Sequence, residues 1–288
     1  MPNIFEQSLL NETERRNAMF AGDIFREHPT RAWSALADFA RARIAQHFGN
    51  LDPRRAQHEL SVESFVQLVA GLKTDFTNHP ETKQLVRAVL TETGHDVPST
   101  VFDVPRLRVV TSDGYLSAGV GYAYKTHRDT WYAAPSCQVN WWASLYDLEP
   151  SQSLTFYPAF FTRPCANTSA EFDYDDWQRN GRTSAVRQIS KDTRQHPLPL
   201  VDLPEAEAIR LVMPADHYVQ FSAAQLHRTT PNSSGLTRFS IDFRTINLQD
   251  YELQRGAPNA DNASRGSTIS DFLRATDFSP LMPQLSSV

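Results

Sequence analysis

Near residue 105 the hydrophobic period of this chain changes, from steps of three and four residues to steps of two. Helices have the first periodicity and strands the second, so the chain must combine a helical layer with a β-rich body. In the first hundred residues Trp33, Leu36, Ala37, Ala40, Ile44 and Phe48 recur on one helical face, ending near Gly49. Ser61 is placed to cap a second helix carrying Phe65, Leu68, Val69 and Leu72. Pro80 is placed to open a third, with Leu85, Val86, Val89 and Leu90 before Gly94.

Beyond Pro105, β-branched and aromatic residues alternate in short runs parted by Gly, Pro, Asn and Ser. Cys137, Val139, Trp141, Ala143 and Leu145 share one strand parity; Gln138, Asn140, Trp142, Ser144 and Tyr146 share the other. Further strands are expected over 106–110, 116–124, 154–157, 209–213, 218–221 and 237–246. So many strands after a helical region imply a mainly β fold with N-terminal helices, either a two-sheet jelly roll or a barrel of the cupin kind. The expected organisation is one domain: a helical layer over 1–104, a β core over 105–250 with a polar insertion at 163–204, and a C-terminal tail over 251–288. The insertion is either a lid or a solvated excursion. The stretch 254–266, rich in Gly, Asn and Ala, reads as a mobile linker, with Ser270 as the cap of a short last helix.

A hydrophobic fraction of 40% over 288 residues supports a sizeable core. The net charge of -5 and the scattered Lys and Arg residues argue against a nucleic-acid partner. No apolar stretch approaches the length of a membrane span, and the first residues lack the pattern of a secretory signal. Two cysteines, Cys137 and Cys165, are too few for a disulfide framework, so a soluble cytoplasmic protein is expected. Its oligomeric state is not legible.

The chemistry-bearing residues lie in the β half. His127 and Asp129 are two apart, which on an extended strand sends an imidazole and a carboxylate to one face, where they can meet one metal ion. Alone, the pair reads better as a surface salt bridge or a hydrogen-bonded pair. A second segment, from Met213 through His227 to Asn232, adds a distant histidine after a turn, a strand and a loop. Eleven residues past His227, Arg238 opens a run in which Arg238, Ser240, Asp242 and Arg244 alternate with Phe239, Ile241 and Phe243.

On these residues, over about 106–246, the chain resembles the phytanoyl-CoA dioxygenase-like branch of the iron(II)/2-oxoglutarate oxygenases. The Pro231-Asn232 step and the segment from Leu154 to Pro158 add to the resemblance. It implies a double-stranded β-helix in which His127, Asp129 and His227 hold Fe(II). It also implies that 2-oxoglutarate is a co-substrate, with dioxygen consumed and an unactivated C-H bond of a small molecule oxidised, most simply by hydroxylation. Arg238 is the expected clamp for the distal carboxylate of 2-oxoglutarate, since a guanidinium is bidentate and always charged; Thr229 occupies the assisting hydroxyl position. Arg244 shares Arg238's parity and is a rival clamp, a structural partner of Asp242 or a substrate contact. Gln138 and Asn140 could offer amides to the co-substrate or read equally well as satisfied polar groups in a sheet, and Tyr124, Trp131, Tyr132 and Trp142 could wall the substrate. The aromatics read equally well as core, and His217 reads as structural. Two other functions fit the same residues: a ligand-binding jelly roll with no metal, and a metal-dependent isomerase or hydrolase of cupin type.

Overall fold

The computed structural model describes residues 3–116, 118–119, 125–181 and 196–282. Four main helices occupy the first part: α1 (Glu12–Phe20), α2 (Arg31–Phe48), α3 (Val62–Asn78) and α4 (Pro80–Glu92). The starts of α2 and α3 are set by hydroxyls, Thr30 accepting from the Trp33 amide and Ser61 from the Ser64 amide. Pro80 sits in the first turn of α4, where its missing N-H is not needed. Helix α2 stops at Gly49, whose φ of 59° is open to glycine without strain. The six apolar residues expected on one face of α2 are the six it buries.

Among the described residues there are eleven strands: β1 (Ile4–Glu6), β2 (Ile24–Glu27), β3 (Thr100–Asp103), β4 (Arg106–Val110), β5 (Val139–Ser144), β6 (Leu154–Phe156), β7 (Ile209–Leu211), β8 (Tyr218–Ser222), β9 (His227–Thr229), β10 (Arg238–Asn247) and β11 (Phe272–Arg274). They form an eight-stranded sheet, ordered β1-β2-β8-β5-β10-β3-β11 with β4 also on β10, and a three-stranded sheet ordered β7-β6-β9. From β5 onward the chain passes between the sheets: β5 in the large one, β6 and β7 in the small one, β8 in the large, β9 in the small, β10 in the large. That crossing pattern is a double-stranded β-helix, or jelly roll.

The parity of β5 separates the two faces of the large sheet. Cys137, Val139, Trp141, Ala143 and Leu145 join the core formed with α2, α3 and α4. Trp142 points the other way, into a second cluster where Leu154, Phe156 and Leu211 of the small sheet meet Val219 and Phe221 of the large. Fully burying side chains of this size contributes about 1.5–3 kcal/mol each, so both faces of the large sheet are stabilised by packing.

The structure departs from expectation at both ends. The segment 1–104 is not purely helical, because β1, β2 and β3 extend the large sheet. At three or four residues each, they are too short to display a period. The C-terminal segment holds a 3-10 turn at Thr268–Asp271, capped by Ser267 rather than Ser270, and then strand β11. Pairing with β3 buries Phe272 in the main core, which a surface helix would not do. Nor is 254–266 a loose linker, since Asp261 accepts from Arg128, Trp131 and Cys165. The expected strand 116–124 and the centre of the 163–204 insertion fall largely outside the described residues. Among the described residues no helix is long and apolar enough to cross a membrane.

Candidate metal centre

His127 and His227 are brought opposite one another by backbone pairing. Each donates its amide to the other's carbonyl at 2.9 Å, the geometry of a hydrogen-bonded antiparallel pair. His127 does not lie on a regular strand as expected; it makes this isolated bridge, and Asp129 opens a 3-10 turn, Asp129–Tyr132. The turn folds the carboxylate back toward both rings. The Nδ1 atoms lie 2.7 Å from the Lys125 carbonyl and 3.0 Å from the Gln225 carbonyl, so both carry the proton. That turns both Nε2 atoms toward Asp129 and the cavity, where they can serve as metal ligands. Asp129 Oδ1 is 3.2 Å from His127 Nε2 and 4.0 Å from His227 Nε2, and one donor atom from each of the three residues lies within 4.8 Å of the others.

All three side chains are buried. Burial acts to raise the Asp129 carboxyl, but the His127 hydrogen bond and the charges of Arg244, His227 and His127 outweigh it and hold the group well below the usual carboxylate range. Burial, reinforced by His127, brings the His227 imidazole down to about 4. At neutral pH the set therefore presents an anion and a neutral imidazole, the forms that bind a divalent metal.

The three residues line a cavity of about 400 Å³. Arg238 also lines it and is 4% exposed. Its Nη1 donates to the Gln152 carbonyl at 2.9 Å, its guanidinium lies 5.3 Å from the Trp142 ring centre, and its buried Nε has no partner. Among the described residues no carboxylate forms an ion pair with it. Burial, tempered by Asp242, brings it down to about 10, so it stays a cation at neutral pH. Arg244 is differently placed: Nη1 lies 3.1 Å from Asp103 and 3.3 Å from Asp242, and Nε lies 3.5 Å from Asp129 Oδ2. Arg108 holds Asp242 with two nitrogens, at 2.6 and 3.1 Å.

Thr229, Asn140, Trp142 and Tyr132 line the cavity as well. Gln138 donates to Asp129 Oδ2 at 3.2 Å and to Asn140 Oδ1 at 2.8 Å. Tyr132 stands edge-on to His127 and meets His196 through its hydroxyl, 3.1 Å away. Trp131 is not part of the wall: it is fully buried and packs with Tyr157, Phe160 and Leu226. Tyr124 lies outside the described residues. His217 packs at a tilt against His28, its ring centroid 4.7 Å away, and does not line the cavity.

Sequence reading missed Arg106, Arg108, Phe172 and Trp177 as lining residues. Arg106 and Arg108 carried a signal, two charges at strand spacing. Phe172 and Trp177, in the insertion, carried none. The Arg128–Asp261 pair beneath the site was also missed, because its partners are far apart in sequence and Asp261 sits in a low-complexity stretch.

No family model matches the chain, and no curated protein matches it. Solved structures do. The apo form of ThoJ, a non-heme monooxygenase, is 17% identical over 74% of this chain and 70% of its own, with a TM-score of 0.38. EvdO2 from Micromonospora carbonacea var. aurantiaca is 13% identical over 84% and 93%, with a TM-score of 0.46. The epimerase SnoN, solved with Fe3+, alpha ketoglutarate and nogalamycin RO, is 14% identical over 94% and 96%, with a TM-score of 0.41. At these identities no residue role is carried across.

Proposed function

We propose that this protein is an iron(II)- and 2-oxoglutarate-dependent oxygenase of the phytanoyl-CoA dioxygenase-like kind, hydroxylating a small organic molecule in the cytoplasm. One observation carries the reading: a buried, cationic Arg238 with no carboxylate partner among the described residues lines the same cavity as the His-Asp-His set. A buried unpaired charge is costly, and one kept in a cavity beside a metal site needs an anionic ligand to offset it. A dicarboxylate that binds the metal at one end and Arg238 at the other meets that need.

Fe(II), when bound, supplies with 2-oxoglutarate and dioxygen the oxidising power needed to attack an unactivated C-H bond. His127, Asp129 and His227 would hold the ion, which would take 2-oxoglutarate and dioxygen as its other ligands. Arg238 fixes the distal carboxylate, and Thr229 on the cavity wall is the adjacent hydroxyl. Asn140 offers an amide at the other end. Trp142 packs under the Arg238 guanidinium, which shields that charge from water. Tyr132 and the Arg244 side face the space left for the substrate. Asp129 favours hydroxylation over halogenation, because a carboxylate there occupies the position that a halide would need.

Anaerobic titration with Fe(II) and then 2-oxoglutarate tests the reading. A visible metal-to-ligand charge-transfer band is expected only when both are present. Iron binding with no band on adding 2-oxoglutarate would favour an isomerase or hydrolase, and no iron binding would favour a metal-free ligand-binding module.

A further inference from the structure

The two oxygens of Asp129 have different surroundings. Oδ1 faces the imidazoles, 3.2 Å from His127 Nε2 and 4.0 Å from His227 Nε2. Oδ2 faces the protein: Gln138 Nε2 donates to it at 3.2 Å and Arg244 Nε stands 3.5 Å away. A carboxylate only accepts, so the Gln138 atom against it is the amide nitrogen. Gln138 is 2% exposed, lines the cavity immediately before β5, and its amide also donates to Asn140. Arg244 is tied in turn to Asp103 by its backbone amide at 2.7 Å and its guanidinium at 3.1 Å, and to Asp242 at 3.3 Å.

We infer that Gln138 and Arg244 are positioning residues that would hold Asp129 as a one-oxygen metal ligand, with Oδ2 engaged by the Gln138 amide just before β5 and by the Arg244 charge on β10. The inference rests on the metal reading above. A carboxylate on a short side chain can turn about its last bond and bring both oxygens to one ion. A hydrogen bond from Gln138 and the Arg244 charge, both on Oδ2, oppose that turn and keep Oδ1 aimed at the imidazoles. This role goes beyond those expected of the two residues from sequence, where Gln138 was a co-substrate contact or a satisfied sheet amide and Arg244 a rival clamp, a partner of Asp242 or a substrate contact. Arg244 does pair with Asp242, and both residues also engage Asp129.

The test uses the full-length protein with Co(II) in place of Fe(II), since the ligand-field bands of Co(II) report its coordination. Affinity is measured by calorimetry, and the absorption spectrum is recorded at saturating metal, for the parent, Gln138→Met and Arg244→Met. Each variant should bind Co(II) about tenfold to a hundredfold more weakly, the range for lost outer-shell partners. Each saturated spectrum should also differ from the parent's, because the freed carboxylate changes its binding mode. A purely structural role would lower the melting temperature and leave the saturated spectrum unchanged. Affinities within twofold of the parent with superimposable spectra would overturn the inference, and if one variant does not fold, the other decides it. A parent that binds no Co(II) would overturn the metal reading itself, whatever the variants do.

Discussion

Removing the charge of Asp261 should destabilise the whole protein and loosen the metal set. Arg128 sits between His127 and Asp129, is 1% exposed, and turns its side chain away from the cavity. Its Nη1 donates to the Ala224 carbonyl at 2.5 Å; its Nη2 donates to the Phe160 carbonyl at 2.7 Å and to the Arg163 carbonyl at 3.1 Å. Asp261 supplies the only carboxylate paired with it among the described residues, 3.0 Å from Arg128 Nε, and also accepts from Trp131 Nε1 at 2.7 Å and the Cys165 amide at 2.8 Å. Asp261→Asn keeps the shape and removes the charge, leaving a buried guanidinium surrounded by carbonyl dipoles. Breaking such a pair on one side costs about 3–5 kcal/mol. With a urea m-value of about 3 kcal/mol/M, the midpoint should fall by roughly 1 M or more. Arg128→Met should cost at least as much, since it removes the donor from four backbone carbonyls and the charge partner of Asp261. The double variant Arg128→Met/Asp261→Leu should cost less than the sum of the single ones. Because Arg128 holds the backbone between two ligands, Asp261→Asn should also weaken metal binding at temperatures where the variant is fully folded. A urea midpoint within about 0.3 M of the parent, roughly 1 kcal/mol, would refute the reasoning.

Three further outcomes are expected. Arg238→Gln should raise the 2-oxoglutarate dissociation constant about tenfold to a hundredfold, the equivalent of 1.5–3 kcal/mol for a charge-assisted pair, with iron affinity nearly unchanged. Arg244→Gln should affect 2-oxoglutarate binding much less, and binding isotherms for the two variants decide between them. Asp129→Gly should retain weakened iron binding through His127 and His227 and lose hydroxylation, and turnover at the parent rate would remove Asp129 from the ligand set. His95, its side chain 6% exposed and packed at a tilt against Trp141, is brought by burial down to about 3. Its folded pKa lies below the unfolded value of about 6.5, so between those values the unfolded state binds the extra proton and stability falls as pH falls. From pH 6.5 to 5.0 this group removes about 2 kcal/mol, and urea midpoints of His95→Gln should lose that much less over the same interval.

Periodicity alone made the main divisions of this protein legible. The six-residue face of α2, the hydroxyl cap of α3 and the two faces of β5 are local patterns, and local sterics and alternation determine them whatever surrounds them. The bounds of β4 agree with those expected for the same reason. The His127-x-Asp129 spacing, His227 and Arg238 were visible as residue types at distances, without any statement of which atoms would meet. Only the tertiary structure decided the rest. Strands β1, β2, β3 and β11 exist because the edge of a large sheet is there to pair with, since three or four residues carry too little propensity to form a strand alone. Asp129 reaches the imidazoles from a 3-10 turn rather than a strand, because the bridge between His127 and His227 ends the ladder there. Arg238 and Arg244 share a strand parity and cannot be told apart by it. Asp103 and Asp242, brought up by β3 and β10, neutralise Arg244, while no carboxylate among the described residues pairs with Arg238. The charge left over in the cavity is set by pairing between distant segments, and pairing of that kind leaves no periodic trace in a sequence.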